Sequence, residues 1–128
     1  ENLERARRGC YSRSSLKDLP PAYLEQAFVP TAQGWRLGEE YRADVTFAEQ
    51  DVRQAAPRGP FHLVLCRYVA FTYFDEGRQR DVLRTIVERL VPGGALVIGS
   101  IESLPDGVPG LEVWSAKSRV YRRRRGEP

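Results

Sequence analysis

The chain is predicted to be an α/β domain organised around a parallel sheet, and three observations predict it. Residues 61–66 (FHLVLC) form an apolar run of strand length, too short for a helix and introduced by Gly59-Pro60. Val82, Leu83, Ile86, Val87 and Leu90 fall on one helical face, with Arg80, Arg84 and Glu88 on the other. Residues 95–99 (ALVIG) are a second apolar run of strand length. Two buried strands joined by an amphipathic helix make a βαβ unit, which brings the strands together in parallel. In open sheets of this kind ligands bind beyond the carboxyl ends of the strands. That rim carries Cys66-Arg67-Tyr68-Val69 after the first strand and Gly99-Ser100-Ile101-Glu102 after the second.

Each element has a local cause. Residues 2–8 (NLERARR) have helical composition, and Gly9 is placed to end the helix. Residues 11–19 are polar and irregular. Pro21 opens a short helix with Leu24, Ala27 and Phe28 on its apolar side. Trp35-Arg36-Leu37 and Tyr41-Arg42-Ala43 alternate apolar and polar residues, separated by Gly38-Glu39-Glu40, and predict a small antiparallel ribbon. Val45-Thr46-Phe47 is strand-like. Residues 67–74 form a loop rich in aromatic residues. Asp75 is the expected N-cap of the amphipathic helix, with Glu76 in its first turn. Pro92-Gly93-Gly94 stops that helix and turns the chain. Residues 111–114 and 118–121 predict an antiparallel hairpin on the sheet edge.

Composition narrows the function classes. With 128 residues, 41% hydrophobic and 29% charged, the chain has the size and balance of one soluble domain. No apolar run approaches the roughly 20 residues a membrane span requires. Residues 1–9 are charged and carry no signal-peptide pattern, so a cytoplasmic setting is expected. Cys10 and Cys66 are the two cysteines. Cys66 reads as a small core residue in a reducing compartment rather than half of a disulfide. His62 is the sole histidine and reads as structural, so no metal site is expected. The formal charge is +3, with the excess concentrated at Arg122–Arg125. That run reads as a solvated tail in preference to a contact for nucleic acid or an acidic partner, because no aromatic interleaving or recognition helix accompanies it. The chain has no methionine and starts at Glu1 in what reads as the middle of a helix; it is expected to be a piece of a longer protein.

Two blocks of sequence carry a family resemblance. LERARRGCYSRSSLKDLP resembles an "L-x-x-A-R-x-G-x-Y … L-x-x-L" segment, and residues 59–104 resemble "GPFDLIFCRNVLIYFD … L-x-P-G-G-x-L-x-x-G-x-S-E". Cys66-Arg67, Val69, Tyr73-Phe74-Asp75, Pro92-Gly93-Gly94, Gly99 and Glu102 fall in place and in order. Both patterns are those of the CheR-type chemotaxis-receptor protein methyltransferases. The resemblance implies a Rossmann-like class I methyltransferase sheet, partial because its first two strands would lie upstream of Glu1. A small antiparallel β subdomain and a C-terminal antiparallel hairpin complete the expectation. The implied divisions are a helical segment at 1–27, the β subdomain at 28–44, the remaining methyltransferase portion at 45–121 and a basic tail at 122–128. The family's Gly-rich loop and acidic ribose ligand would also lie upstream. Three departures stand out: His62 replaces a strand aspartate, Tyr68 replaces the Asn of the Cys-Arg-Asn-Val loop, and one residue is inserted before Tyr73.

The resemblance implies S-adenosylmethionine as cofactor and a glutamate carboxylate of a receptor-like protein as methyl acceptor. Such a displacement needs positioning and desolvation rather than an acid–base pair, and a carboxylate acceptor is already ionised at neutral pH. Asp51 and Val52 are implied at the adenine, through a carboxylate acceptor and a backbone N–H; on residue type alone Asp51 reads as a solvated turn residue. Arg67, Tyr68 and Val69 are implied in the loop against the cofactor, where Tyr68 either stacks or only packs. Tyr73 and Arg67 are the catalytic candidates: Tyr73 orients the carboxylate or is a packed aromatic leading into the helix, and Arg67 holds the acceptor or a backbone carbonyl. Glu102 pairs with a nearby cation or is a solvated loop charge. The competing reading is a non-catalytic methyltransferase-like module that docks a protein partner through the ribbon. The 128 residues alone are expected not to bind cofactor, since the sheet would be left with unpaired edges.

Overall fold

The computed structural model describes residues 1–126, and the chain divides into two compact units, one spanning Glu1–Glu49 and the other beginning at Gln50. The first unit opens with helix α1 (Asn2–Arg8). Gly9 closes it in the left-handed conformation, its N–H donating to the carbonyls of Ala6 and Arg5. Strand β1 (Cys10–Tyr11), helix α2 (Pro21–Ala27), and strands β2 (Phe28–Thr31) and β3 (Gly34–Leu37) follow. They form a three-stranded antiparallel sheet in the order β1-β3-β2, in which Val29 faces Arg36 and Tyr11 faces Trp35. The rings of Tyr11 and Phe28 meet edge to face, 6.3 Å between centroids.

Two expectations fail in this unit. Tyr41 and Arg42 lie in a short helix α3 (Glu39–Arg42), not in a strand. Ala43 N–H bonds to the Glu39 carbonyl, and the Arg42 guanidinium donates to the Arg7 carbonyl at 2.6 Å. Residues 45–47 form no strand either. A strand persists only when its backbone groups are paired, and no described neighbour offers residues 45–47 a ladder.

The second unit contains strand β4 (Phe61–Leu65), helix α4 (Ala70–Tyr73), helix α5 (Glu76–Arg89), and strands β5 (Leu90–Val97), β6 (Leu111–Ser115) and β7 (Val120–Arg123). The sheet order is β4-β5-β7-β6. β4 and β5 are parallel, pairing Val64 with Leu96, and α5 joins them as the apolar spacing predicts. Asp75 caps α5 by accepting the Arg78 N–H at 3.0 Å. The predicted helical face is the buried one: Val82, Leu83, Ile86, Val87 and Leu90 pack with Leu96, Ile98, Ala70 and Phe71. Leu83, Leu90, Leu96 and Ile98 are essentially sealed from solvent. Each contributes about 1.5–3 kcal/mol of burial, enough for this face to anchor the unit.

β5 starts earlier than its apolar run suggests. Leu90 follows Arg89 directly into extended backbone, so Pro92-Gly93-Gly94 lies inside the strand rather than in a turn. Pairing slips between Phe61 and Leu63, the irregularity that accommodates this Pro-Gly-Gly segment. The aromatic loop after β4 also contains α4, where a loop alone is expected. β4 packs on the core through one face. Its alternating side chains place Val64 toward α5, while Leu63 and Leu65 remain 55% and 65% exposed on the opposite face, which no described element covers.

The expectation of a basic tail from residue 122 is overturned for its first half. Arg122 and Arg123 belong to β7, which is wedged between β5 and β6 and antiparallel to both. Arg122 pairs with Glu112 at 2.5 Å. Arg123 donates to the carbonyls of Leu90 and Glu88 at the end of α5, where a cation suits the dipole. Residues 127–128 of that tail lie outside the described residues.

Candidate functional site

The parallel pair β4 and β5 sets the rim, because both carboxyl ends point the same way. The chain leaves β4 through Cys66, whose N–H bonds to the Val97 carbonyl at 3.0 Å and so continues the ladder by one residue. Its thiol is pushed up from the ordinary cysteine value by burial, which suits a packed thiol and not a nucleophile.

Tyr68 then takes the left-handed conformation, φ 57°. That region is costly for a bulky L-residue, and short amide side chains tolerate it best. Tyr68, which stands where the resembled loop has Asn, meets that geometry with a bulky side chain. The Tyr68 phenol oxygen accepts the Ser100 N–H at 3.0 Å and shares a second hydrogen bond with the Ser100 hydroxyl at 2.7 Å. Its ring lies against Gly99, where an added Cβ would fall 2.5 Å from the ring edge. The phenol is lowered from its ordinary value by the Ser100 hydroxyl, with a further contribution from Arg67, whose guanidinium sits 5.5 Å from the ring centroid.

Glu102 holds this arrangement together. It is 4% exposed, the one buried charged residue among those described. Oε1 accepts the N–H groups of Tyr68 at 2.8 Å and Gly99 at 2.6 Å, and Oε2 accepts the Thr72 hydroxyl at 2.7 Å. Burial raises its carboxyl. The hydrogen bonds from Thr72, Tyr68 and Gly99, with Arg67 nearby, outweigh that effect and hold it below the usual carboxylate range. Neither expectation for Glu102 survives, because it is neither a solvated loop charge nor a simple ion-pair partner. It clamps the loop after β4, helix α4 and the end of β5 to one another. The turn that places it is local, with Glu102 N–H bonding to the Gly99 carbonyl at 3.0 Å. An acidic side chain reaching back three residues to a backbone N–H is the geometry of a capping box, and that spacing is the signal in the sequence.

Asp51 and Val52 approach the same unit from its beginning. Asp51 accepts both the backbone N–H and the guanidinium of Arg53, at 2.6–3.2 Å, and the pair holds its carboxyl down to about 2. The Arg53 guanidinium in turn lies 5.7 Å from the centre of the Phe74 ring, which ties residues 51–53 to the segment that carries Tyr73. Val52 packs at the edge of the core and lines an apolar cleft of about 280 Å³ with Phe61, Leu63, Leu65, Cys66 and Ile86. Tyr73 is not among the residues of that cleft; it stands 79% exposed at the end of α4. Val69 is half exposed and precedes α4. Arg67, Tyr68 and Val69 are thus together after β4, Arg53 links Asp51 and Val52 to Phe74, and among the described residues Val52 and Tyr73 line no common cleft. Sequence reasoning gave no role to Thr72, Ser100 or Arg53, whose roles depend on partners 21 to 32 residues away or on a side chain folding back.

No cluster of His, Cys, Asp and Glu among the described residues could hold a metal ion. No described helix is long and apolar enough to cross a membrane.

Comparison with known proteins bears on the same residues. The family model for the CheR methyltransferase, SAM binding domain, matches residues 1–120. The chain is 36% identical over 109 residues to a chemotaxis protein methyltransferase of Escherichia coli (strain K12), which covers 80% of this chain and 38% of that protein. It is 37% identical over 109 residues to the chemotaxis protein methyltransferase of Salmonella typhimurium, with the same coverage. It is also 30% identical over 131 residues to the probable biofilm formation methyltransferase WspC of Pseudomonas aeruginosa, covering 94% of this chain and 31% of that protein. The chain therefore spans less than two-fifths of the length of these relatives. The mixed four-stranded sheet and the separate antiparallel sheet are consistent with part of a class I methyltransferase fold, and the matched domain implies S-adenosylmethionine as cofactor. The chain belongs to the CheR methyltransferase family, within its S-adenosylmethionine-binding domain.

Proposed function

We propose that the protein carrying this chain is a cytoplasmic S-adenosylmethionine-dependent methyltransferase that esterifies a glutamate carboxylate on a receptor-like protein. The observation that carries the reading is the locked rim at the ends of β4 and β5. Glu102 fixes Tyr68, Gly99 and Thr72 in a chain whose family binds this cofactor.

The residues present fit one side of an adenosyl group. Asp51 stays ionised at neutral pH and offers an acceptor to an exocyclic amine, while Val52 offers a backbone N–H. Arg67, Tyr68 and Val69 line the rim toward the reacting end. The bound cofactor supplies a methyl group on a positively charged sulfur. The work left to the chain is to hold and orient, which is where most of the rate enhancement of such a displacement arises. Tyr73, exposed beside the rim, is assigned to orient the acceptor carboxylate through its hydroxyl. Arg67 is assigned to attract that carboxylate by charge. The acceptor oxygen is a carboxylate already ionised at neutral pH and needs no base.

The test is methyl transfer by the intact protein from S-adenosylmethionine labelled in its methyl group. Incorporation into a receptor-like acceptor, released as methanol by mild base, is the expected result. Label that survives base would place the methyl on nitrogen or sulfur and overturn the carboxylate assignment. Cofactor binding without transfer to any protein carboxylate would overturn the enzymatic one.

A further inference from the structure

The arginine run that reads as a tail in the sequence instead lines one end of the sheet. Gly93, Glu112, Trp114 and the four arginines Arg122–Arg125 surround a groove of about 570 Å³. Its location separates it from the rim described above. Gly93 lies near the start of β5 and Gly99 just beyond its end, six residues or about 20 Å of extended chain apart.

The lining residues divide by what already occupies them. Arg123 is committed to the carbonyls at the end of α5. Arg122 pairs with Glu112 and covers the Trp114 ring at 5.7 Å from its centroid. The indole is thereby held in place, yet Trp114 remains 59% exposed, an unusual cost for the largest apolar side chain. Arg124 is fixed through its backbone, its N–H bonding to the Gly110 carbonyl at 2.8 Å. Arg125 lies against Gly93. Among the described residues the guanidinium groups of Arg124 and Arg125 make no hydrogen bond or ion pair. Two such cations beside a braced aromatic plate suit anions with an apolar component, since guanidinium groups bind carboxylates in a bidentate fashion.

The sheet order sets the path of the ligand. Glu112 and Trp114 stand on β6, Arg122 on the neighbouring β7 and Gly93 on β5, so the groove runs across three strands on one face of the sheet.

We propose that this groove binds a carboxylate-rich segment of a protein partner, which crosses the face of the sheet with an apolar residue on Trp114 and its acidic side chains at Arg124 and Arg125. A nucleic acid is the weaker fit. Its recognition draws on a broad basic stripe that neutralises many phosphates, whereas among the described residues two of these four arginines already have partners and the chain carries a net charge of only +3. The proposal is independent of the methyl-transfer reading.

The test is a fluorescence-anisotropy titration of the intact protein with a labelled peptide alternating glutamate and valine. A peptide alternating lysine and valine and a single-stranded oligonucleotide of equal charge serve as comparisons. Salt-sensitive binding of the acidic peptide alone is expected. The double substitution Arg124→Glu and Arg125→Glu should weaken it by about tenfold or more. Trp114→Ala, which leaves every charge in place, should weaken it by a smaller but measurable factor. Circular dichroism matching the parent protein establishes that the variants fold. Tighter binding of the oligonucleotide, no binding of the acidic peptide, or an affinity indifferent to the charge reversal would each overturn the proposal. Indifference to Trp114→Ala would reduce the groove to bare charge attraction and overturn it equally.

Discussion

The carboxylate of Glu102 accepts the backbone N–H of Tyr68, 34 residues away in sequence, at 2.8 Å. The same oxygen takes the N–H of Gly99 at 2.6 Å, so one buried atom joins the loop after β4 to the end of β5. A buried donor left without a partner costs about 1–3 kcal/mol. Replacing Glu102 by Gln turns one accepting oxygen into a donor and sets it against a hydroxyl or two N–H groups. Glu102→Gln is expected to destabilise the intact protein by about 2–3 kcal/mol in urea denaturation and to weaken cofactor binding in calorimetry. A variant as stable as the parent would show that the clamp is dispensable.

The same carboxylate makes a pH prediction. Burial alone would raise it, but the Thr72 hydroxyl, the Tyr68 and Gly99 N–H groups and Arg67 bring it below the unfolded value. A group whose folded pKa is depressed contributes stability that is present above its unfolded pKa, about 4.3 for Glu, and is lost as pH falls through the folded value. The stability gap between the parent and Glu102→Gln should therefore be constant from pH 7 down to about 5 and shrink under more acidic conditions. Denaturation midpoints taken across that range check it. A gap that widened on acidification would reverse the sign and refute the assignment.

Gly99 and Tyr68 are packed too closely for a side chain at position 99. An added Cβ would lie 2.5 Å from the Tyr68 ring and 2.7 Å from Glu102 Oε1. Gly99→Ala is expected to cost about 1–3 kcal/mol through overpacking. Removing the ring first, with Tyr68→Ala, should reduce that penalty without abolishing it, because the Glu102 oxygen remains. A double-mutant cycle measures the coupling. Strict additivity of the two substitutions would mean that the ring is not what Gly99 accommodates.

Tyr73 separates stability from chemistry. Because it is 79% exposed, Tyr73→Phe should leave stability within about 0.5 kcal/mol of the parent. If its hydroxyl orients the acceptor, the rate of methyl transfer falls while cofactor affinity stays the same. A drop in cofactor affinity of the same size would instead put Tyr73 on the cofactor side.

Asp51 offers a complementary test. Its carboxyl is held down to about 2 by Arg53, so it stays charged across the working range of most assays. Asp51→Asn keeps the shape and removes the charge. It is expected to weaken cofactor binding with little effect on the rate at saturating cofactor, the mirror image of the Tyr73 result. Unchanged cofactor affinity would return Asp51 to the role of a turn residue paired with Arg53.

What the sequence determined by itself is local and periodic. The spacing of Val82, Leu83, Ile86, Val87 and Leu90 specified the helix and its buried face. Asp75 specified where the helix starts, and two apolar runs flanking it specified a parallel pair. These features depend on neighbours within a few positions, and the ordered motifs from Cys66 to Glu102 placed them in a family. The tertiary structure decided everything that depends on distant partners. It made Arg122 and Arg123 strand residues because β5 and β6 offered them ladders, and it left residues 45–47 without a strand because nothing described did. It buried Glu102 because donors from Tyr68 and Thr72, 34 and 30 residues away, converge there with the neighbouring Gly99 N–H. Hydrophobic period and capping are written in consecutive residues, whereas pairing and charge burial are settled only when remote segments meet.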